Sequence, residues 1–148
     1  MRQNKRFKSN EQGATLVEFS IAATVFLVAM FAVIEFGRAL WVHNALSDAA
    51  RRGARYATLH SAGDEAKVKN VVIYGDENGG DQPLIPNLTP DKISVNYSNF
   101  NLNTGSVTVS VTGYEFEFVL PLVATSITMP NYSTTLTGES VGWIPNNL

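Results

Sequence analysis

An unbroken apolar stretch near the N-terminus constrains this chain more than any other feature. Residues 14–34 contain one charge, Glu18, and the sixteen residues from Phe19 to Ile34 contain none. As a helix, these 21 residues span ~31 Å, about the thickness of a bilayer's hydrocarbon core. A chain of 148 residues has little other material to wrap such a helix on all sides, so the stretch reads as a single membrane span. Arg2, Lys5, Arg6 and Lys8 precede it, and Arg38 is the one basic residue in the fifteen that follow. That asymmetry places the N-terminus in the cytoplasm and residues 35–148 outside. A conventional secretory signal would end in small residues at a cleavage site, whereas Ile34 is followed by Glu35, Phe36, Gly37 and Arg38.

Glu18 is the exception inside the stretch. A carboxylate at the centre of a lipid-embedded helix costs about 2.5–3.5 kcal/mol on insertion scales, and less toward an end. One reading lets Glu18 snorkel to the headgroups. A second starts from Gly13, five residues earlier. Cutting after Gly13 creates an α-amino group on Ala14, which can neutralise Glu18 within one chain or between neighbours in an assembly.

The basic stub, Gly13, the run Ala-Thr-Leu-Val-Glu-Phe and the long apolar helix together resemble a class III, prepilin-type signal. More narrowly, QGATLVEFSIAATVFLVAMFAVIEFGRAL followed by NALSDAARRGARYA resembles the TadE-like proteins, minor pilins or pseudopilins of tight-adherence (Tad) pili. The resemblance covers residues 12–57. It implies cutting after Gly13 by a membrane aspartyl peptidase, Ala14 as the new N-terminus, and Glu18 as the charge that recognises it. It also implies retention of the span from Ala14 to Ile34. The partners implied are the prepilin peptidase, other pseudopilins, the major pilin and the inner-membrane pilus platform, with membrane lipid around the span. Many relatives carry a proline about six residues after the glutamate; this chain has Thr24 there.

Helical periodicity continues outward from Leu40, and no proline interrupts residues 14–60. Ala49, Ala50, Gly53, Ala54 and Ala57 form a small-residue face that admits close backbone approach, either by this chain's own sheet or by a neighbouring subunit. Trp41 stands where an aromatic residue marks an outer membrane interface, and reads equally as an ordinary packing residue. Arg51, Arg52 and Arg55 form the densest charge cluster outside the stub. They read either as a solvated face pairing with Asp48 or as a contact for an acidic partner surface. A second short helix is expected from Asp64-Glu65 to Tyr74, with its acids at the favourable end of the dipole. Residues 75–91, with three Gly and three Pro, read as a loop. Ile93, Val95 and Tyr97, then Val107, Val109 and Val111, alternate as the arms of a hairpin around a turn at 99–105. The apolar phase changes at Gly113, where Phe116, Phe118 and Leu120 follow until Pro121. A last strand is expected within 133–143. The expected fold is α+β and pilin-like: a long N-terminal helix, half membrane-spanning and half amphipathic, packed on a small antiparallel sheet. Its divisions are a leader at 1–13, a span at 14–34, an outer helix at 35–62 and an α+β periplasmic domain at 63–148.

The remaining residues point away from catalysis. His43 and His60 lack a carboxylate–histidine pattern, and there is no nucleophile elbow, P-loop or dinucleotide fingerprint. Asp76, Asn78 and Asp81 fail the calcium-loop spacing, so neither metal nor cofactor is expected. With no Cys, a disulfide framework or thiolate zinc site is excluded. The net charge of −2, which becomes −5 without residues 1–13, argues against nucleic acid. The expected function is therefore structural: a minor pilin or pseudopilin for assembly of a Tad-type pilus, held in a bacterial inner membrane. The alternatives are a membrane-anchored periplasmic binding module and a pseudopilin of a type II-like secretion system.

Overall fold

The computed structural model describes residues 8–60 (side chains from Gly13), 63–98, 105–119 and 125–137. The chain divides into two units, Met1–Arg38 and Ala39–Leu148. Helix α1, Lys8–Leu59, runs through 52 residues and begins within the basic leader.

In the first unit, α1 is apolar on every side. Leu16, Val17, Phe19, Ile21, Val25, Phe26 and Val33 are all exposed, and successive 100° steps carry them around the whole circumference. Such a helix has no face to give to water. Its two hydroxyls are satisfied internally: Ser20 Oγ donates to the Leu16 carbonyl at 2.7 Å, and Thr24 Oγ1 to the Ser20 carbonyl at 2.8 Å. Thr24 thus sits within regular helix, and its hydroxyl needs no partner from outside the turn. Beyond the span, Arg38 Nη1 donates to Glu35 Oε2 at 2.6 Å, pairing the first two charges after it.

In the second unit, the remainder of α1 carries a buried stripe of Leu46, Ala49, Ala50, Ala54 and Ala57, all fully enclosed. Helix α2, Glu65–Tyr74, packs Val68, Val72 and Ile73 into the same core. It ends at Gly75, whose φ of 79° is the left-handed cap conformation, with the Gly75 N–H donating to the Val71 carbonyl at 3.0 Å. The loop after α2 delivers Ile85 and Leu88 to the core, and a 3-10 turn at Pro90–Lys92 leads into the sheet.

Strands β1 (Ile93–Ser98), β2 (Ser106–Val111) and β5 (Tyr132–Thr137) form an antiparallel sheet in the order β1-β2-β5. The register aligns Ile93, Val111 and Tyr132, then Val95, Val109 and Thr134, then Tyr97, Val107 and Leu136. These rows share one face, and β2 buries all three of its valines there. The other face carries only Ser, Thr and Asn side chains, with hydroxyl pairs Thr108–Thr135 at 2.7 Å and Ser110–Ser133 at 2.9 Å. Strands β3 (Glu115–Glu117) and β4 (Ser126–Thr128) make a separate two-stranded hairpin. Gly113, with φ 66°, stands between β2 and β3 and re-aims the chain where the apolar phase changes.

The α+β fold, the second helix and the first hairpin agree with the sequence expectation. Strand β4 was not anticipated, because three residues are too short to show alternation. The last strand starts at Tyr132, one residue earlier than expected. The turn at 99–104, Leu120, Pro121, Val141 and Trp143 lie outside the described residues.

Gly53 fixes the distance between α1 and its neighbours. A Cβ placed there would overlap Val72 Cγ2, and would lie 3.3 Å from Val109 Cγ1 and 3.8 Å from Val68 Cγ1. One methyl group would therefore meet side chains of both α2 and β2. Gly53→Ala is expected to destabilise the outer unit by ~1–3 kcal/mol through overpacking, despite alanine's better helix propensity. Denaturant unfolding of the full-length protein in detergent checks this; an unchanged midpoint would refute the close approach.

Candidate functional site

The expected cleavage site lies in the first turns of α1. Gly13 and Ala14 are exposed and helical, as is Glu18 one turn further on. A Cβ on Gly13 meets no atom within 4 Å. Packing therefore does not demand glycine here, and glycine is about 1 kcal/mol poorer than alanine within a helix. A helix restarted at Ala14 has four amide groups without intrahelical acceptors and the positive end of a dipole. Glu18 stands four residues, about one helical turn, after Ala14.

The arginine cluster is divided by the fold. Arg51 and Arg55 are exposed on α1. Arg52 turns inward: its Nε donates to the Val71 carbonyl at 3.1 Å and its Nη2 to the Val72 carbonyl at 3.2 Å. It also pairs with Asp48 at 3.4 Å. A guanidinium over the last carbonyls of α2 adds donors beside the Gly75 cap N–H, which serves Val71, and opposes the negative end of the helix dipole. The expected pairing with Asp48 is present, but the main contacts of Arg52 are backbone oxygens about twenty residues away in sequence. Of the three arginines read as either a solvated face or a partner contact, Arg51 and Arg55 are the exposed ones.

Two further contacts tie α1 to the outer unit, and sequence reading found neither. Tyr132 Oη meets His43 Nδ1 at 2.7 Å, with the rings edge to face at a centroid distance of 5.2 Å. At the far end of α1, the Tyr56 hydroxyl donates to the Glu77 carboxylate. His60 stacks on Tyr56 at 3.8 Å between centroids, and Asn70 Nδ2 donates to the Glu77 carbonyl at 3.0 Å. No spacing rule links residues so far apart in sequence. The hydrogen bond to Glu77, with partial burial and the negative charge nearby, pushes the Tyr56 phenol up from 10.0 to about 12. In the loop itself, Asp76 Oδ1 accepts from the backbone N–H of Asn78 at 2.8 Å and from its Nδ2 at 3.1 Å. That carboxylate shapes the turn.

This geometry coincides with a family signature. Residues 13–55 match the family model described as TadE-like protein. The match begins at Gly13, includes Glu18 and the whole apolar stretch, and ends at Arg55. No curated protein and no solved structure gives a significant match. The TadE-like match implies a Tad-pilus-associated protein, and the long apolar helix implies membrane anchoring.

Arg52→Ala is expected to cost ~1–2 kcal/mol by removing the guanidinium from the Val72 carbonyl and leaving the Val71 carbonyl with the Gly75 N–H alone, whereas Arg55→Ala stays within about 0.5 kcal/mol. Equal unfolding midpoints for the two variants would refute the capping role. Tyr56 supplies a pH test. Its phenol is raised in the folded state, so its contribution is complete below pH 10 and is lost as pH climbs toward about 12. Stability measured across that window should fall less steeply in Tyr56→Phe than in the parent protein.

Proposed function

We propose that this protein is a minor pilin or pseudopilin for assembly of a Tad-type pilus, acting structurally and without catalysis of its own. The supporting observation is one continuous helix within the TadE-like match. Gly13 stands at its start, Glu18 one turn after the proposed cut, and a segment apolar on every side follows. In this reading the stub of residues 1–13 lies in the cytoplasm, and a prepilin peptidase removes it. The span from Ala14 to Ile34 then holds the subunit in the inner membrane among lipid and like helices. The Ala14 ammonium and the Glu18 carboxylate neutralise each other within one chain or across two, which removes the cost of both charges in an apolar packing environment. The second unit lies in the periplasm. Its exposed Arg51 and Arg55 offer a charged contact to other pseudopilins, the major pilin or the inner-membrane platform.

Cleavage provides the direct test. In cells with an active prepilin peptidase, N-terminal sequencing of the membrane fraction should give a chain beginning at Ala14. Gly13→Ala should leave the precursor uncut; the open space around Gly13 makes misfolding a poor explanation for that result. Glu18→Ala should sharply reduce surface pili. Recovery of the intact N-terminus from such cells would sink the processing claim and favour a permanently anchored binding module.

A further inference from the structure

Arg51 and Arg55 stand one turn apart on α1, both exposed. Among the described residues, no carboxylate lies within salt-bridge distance of either. The other cations of α2 and of α1 beyond Ala39 are all engaged. Arg52 pairs with Asp48 and donates to the end of α2. Lys67 pairs with Asp64 at 3.7 Å, and Lys69 with Glu65 at 2.9 Å. The charges of α2 therefore offset each other at close range. The loop after it has no such balance. Residues 76–81 read Asp-Glu-Asn-Gly-Gly-Asp, three acids without a base. Glu77 is taken by the Tyr56 hydroxyl. Asp76 and Asp81 are exposed, and no described Lys or Arg pairs with them.

The fold sets these two charged surfaces level with each other and facing different ways. Arg51 adjoins Arg52, which reaches the Val71 and Val72 carbonyls near the end of α2. Arg55 adjoins Tyr56, which reaches Glu77 in the loop. One residue along a helix is ~1.5 Å of rise and about 100° of turn. Arg51 and Arg55 are therefore level with the end of α2 and its loop, but turned about 100° away from them. The loop stays beside that helix end. A Cβ on Gly80 would lie 3.3 Å from Tyr74 Cδ1, and the Leu84 N–H donates to the Ile73 carbonyl at 2.8 Å. Asp81, between those two anchors, is held at the same level. The basic and acidic surfaces of one copy thus do not meet, while those of two neighbouring copies can.

We propose that Arg51 and Arg55 of one copy dock on Asp76 and Asp81 of a second copy of this chain, side by side at the same height. The inference rests on the assembly reading and gives its charged contact one occupant. Both surfaces belong to the second unit, so the contact is independent of how the apolar segment is placed. Two guanidiniums suit two carboxylates, since each planar fork can hold a carboxylate through paired hydrogen bonds. The contact is heterologous: each copy spends its basic surface on one neighbour and keeps its acidic surface for another. It therefore extends as a row instead of closing a two-fold pair. Like charges would face each other if the basic surfaces of two copies met, which disfavours the two-fold arrangement.

The chain has no Cys, so cross-linking sites can be placed singly in the full-length protein. Leu59→Cys marks α1 one turn beyond Arg55, and Gln82→Cys marks the loop beside Asp81; both positions are exposed. Copies carrying one mark or the other are co-expressed, and isolated membranes are treated with a short bismaleimide. The expected product joins position 59 to position 82, and its yield falls several-fold in high salt. Arg51→Glu with Arg55→Glu in the copy marked at 59 abolishes it. Asp76→Lys with Asp81→Lys in the copy marked at 82 does the same. Combining the two reversed copies restores the product, which misfolded chains would not do. Products joining 59 to 59 in place of 59 to 82 would overturn the row in favour of a two-fold pair. Failure to obtain the 59–82 product, or to restore it by double reversal, would overturn the contact; where the same membranes hold chains beginning at Ala14, the assembly reading stands. Chains with an intact N-terminus and no 59–82 product would remove both.

Discussion

The outer unit depends on the close approach of α1 to its neighbours at Gly53. Val72 and Val109 occupy the space a side chain would fill there, so α2 and β2 both settle at a distance set by a backbone without a Cβ. Ala49, Ala50, Ala54 and Ala57 extend that surface along the helix, and each is fully buried. Small residues contribute little apolar area individually. Their value is to let the valines of β2 and α2 reach the helix backbone, which gives a small domain a dense core. The sheet has one apolar face and one face of hydroxyls and amides, and only the apolar one needs a cover. The helix supplies it.

One helix thus serves two solvents. From Phe19 to Ile34, α1 is apolar on all sides, and its Ser20 and Thr24 hydroxyls bond to its own carbonyls. From Ala39 onward the same helix is amphipathic, with polar residues outward and alanines inward. The change comes from composition rather than from a break in the backbone, since the helix is continuous through Gly37 and Gly53.

Much of this could be read from the residues. The span follows from length and hydropathy alone. The alternation in β1 and β2 sets both the strands and the face they bury, and a one-residue slip in register would have put every valine into water. The helix from Glu65 was legible from its acidic start and the spacing of Val68, Val71 and Val72. Strand β4 was hidden because Ser126, Ile127 and Thr128 are too few to carry a period. The role of Arg52 was hidden for a different reason. Its acceptors are backbone carbonyls of another helix, which every sequence possesses and none advertises. The same holds for Tyr132 with His43 and for Tyr56 with Glu77, where neither residue type at its position marks the other.

By itself, the sequence determined that this chain holds a helix long and apolar enough to cross a membrane, preceded by Gly13 and carrying Glu18 in its first turns, and that the rest is α+β. Those properties depend on local composition and periodicity, which act along the chain. Tertiary structure decided which arginines face outward and why position 53 excludes a side chain. Those depend on distances between segments far apart in sequence, which are fixed only when the helix and sheet close on a common core.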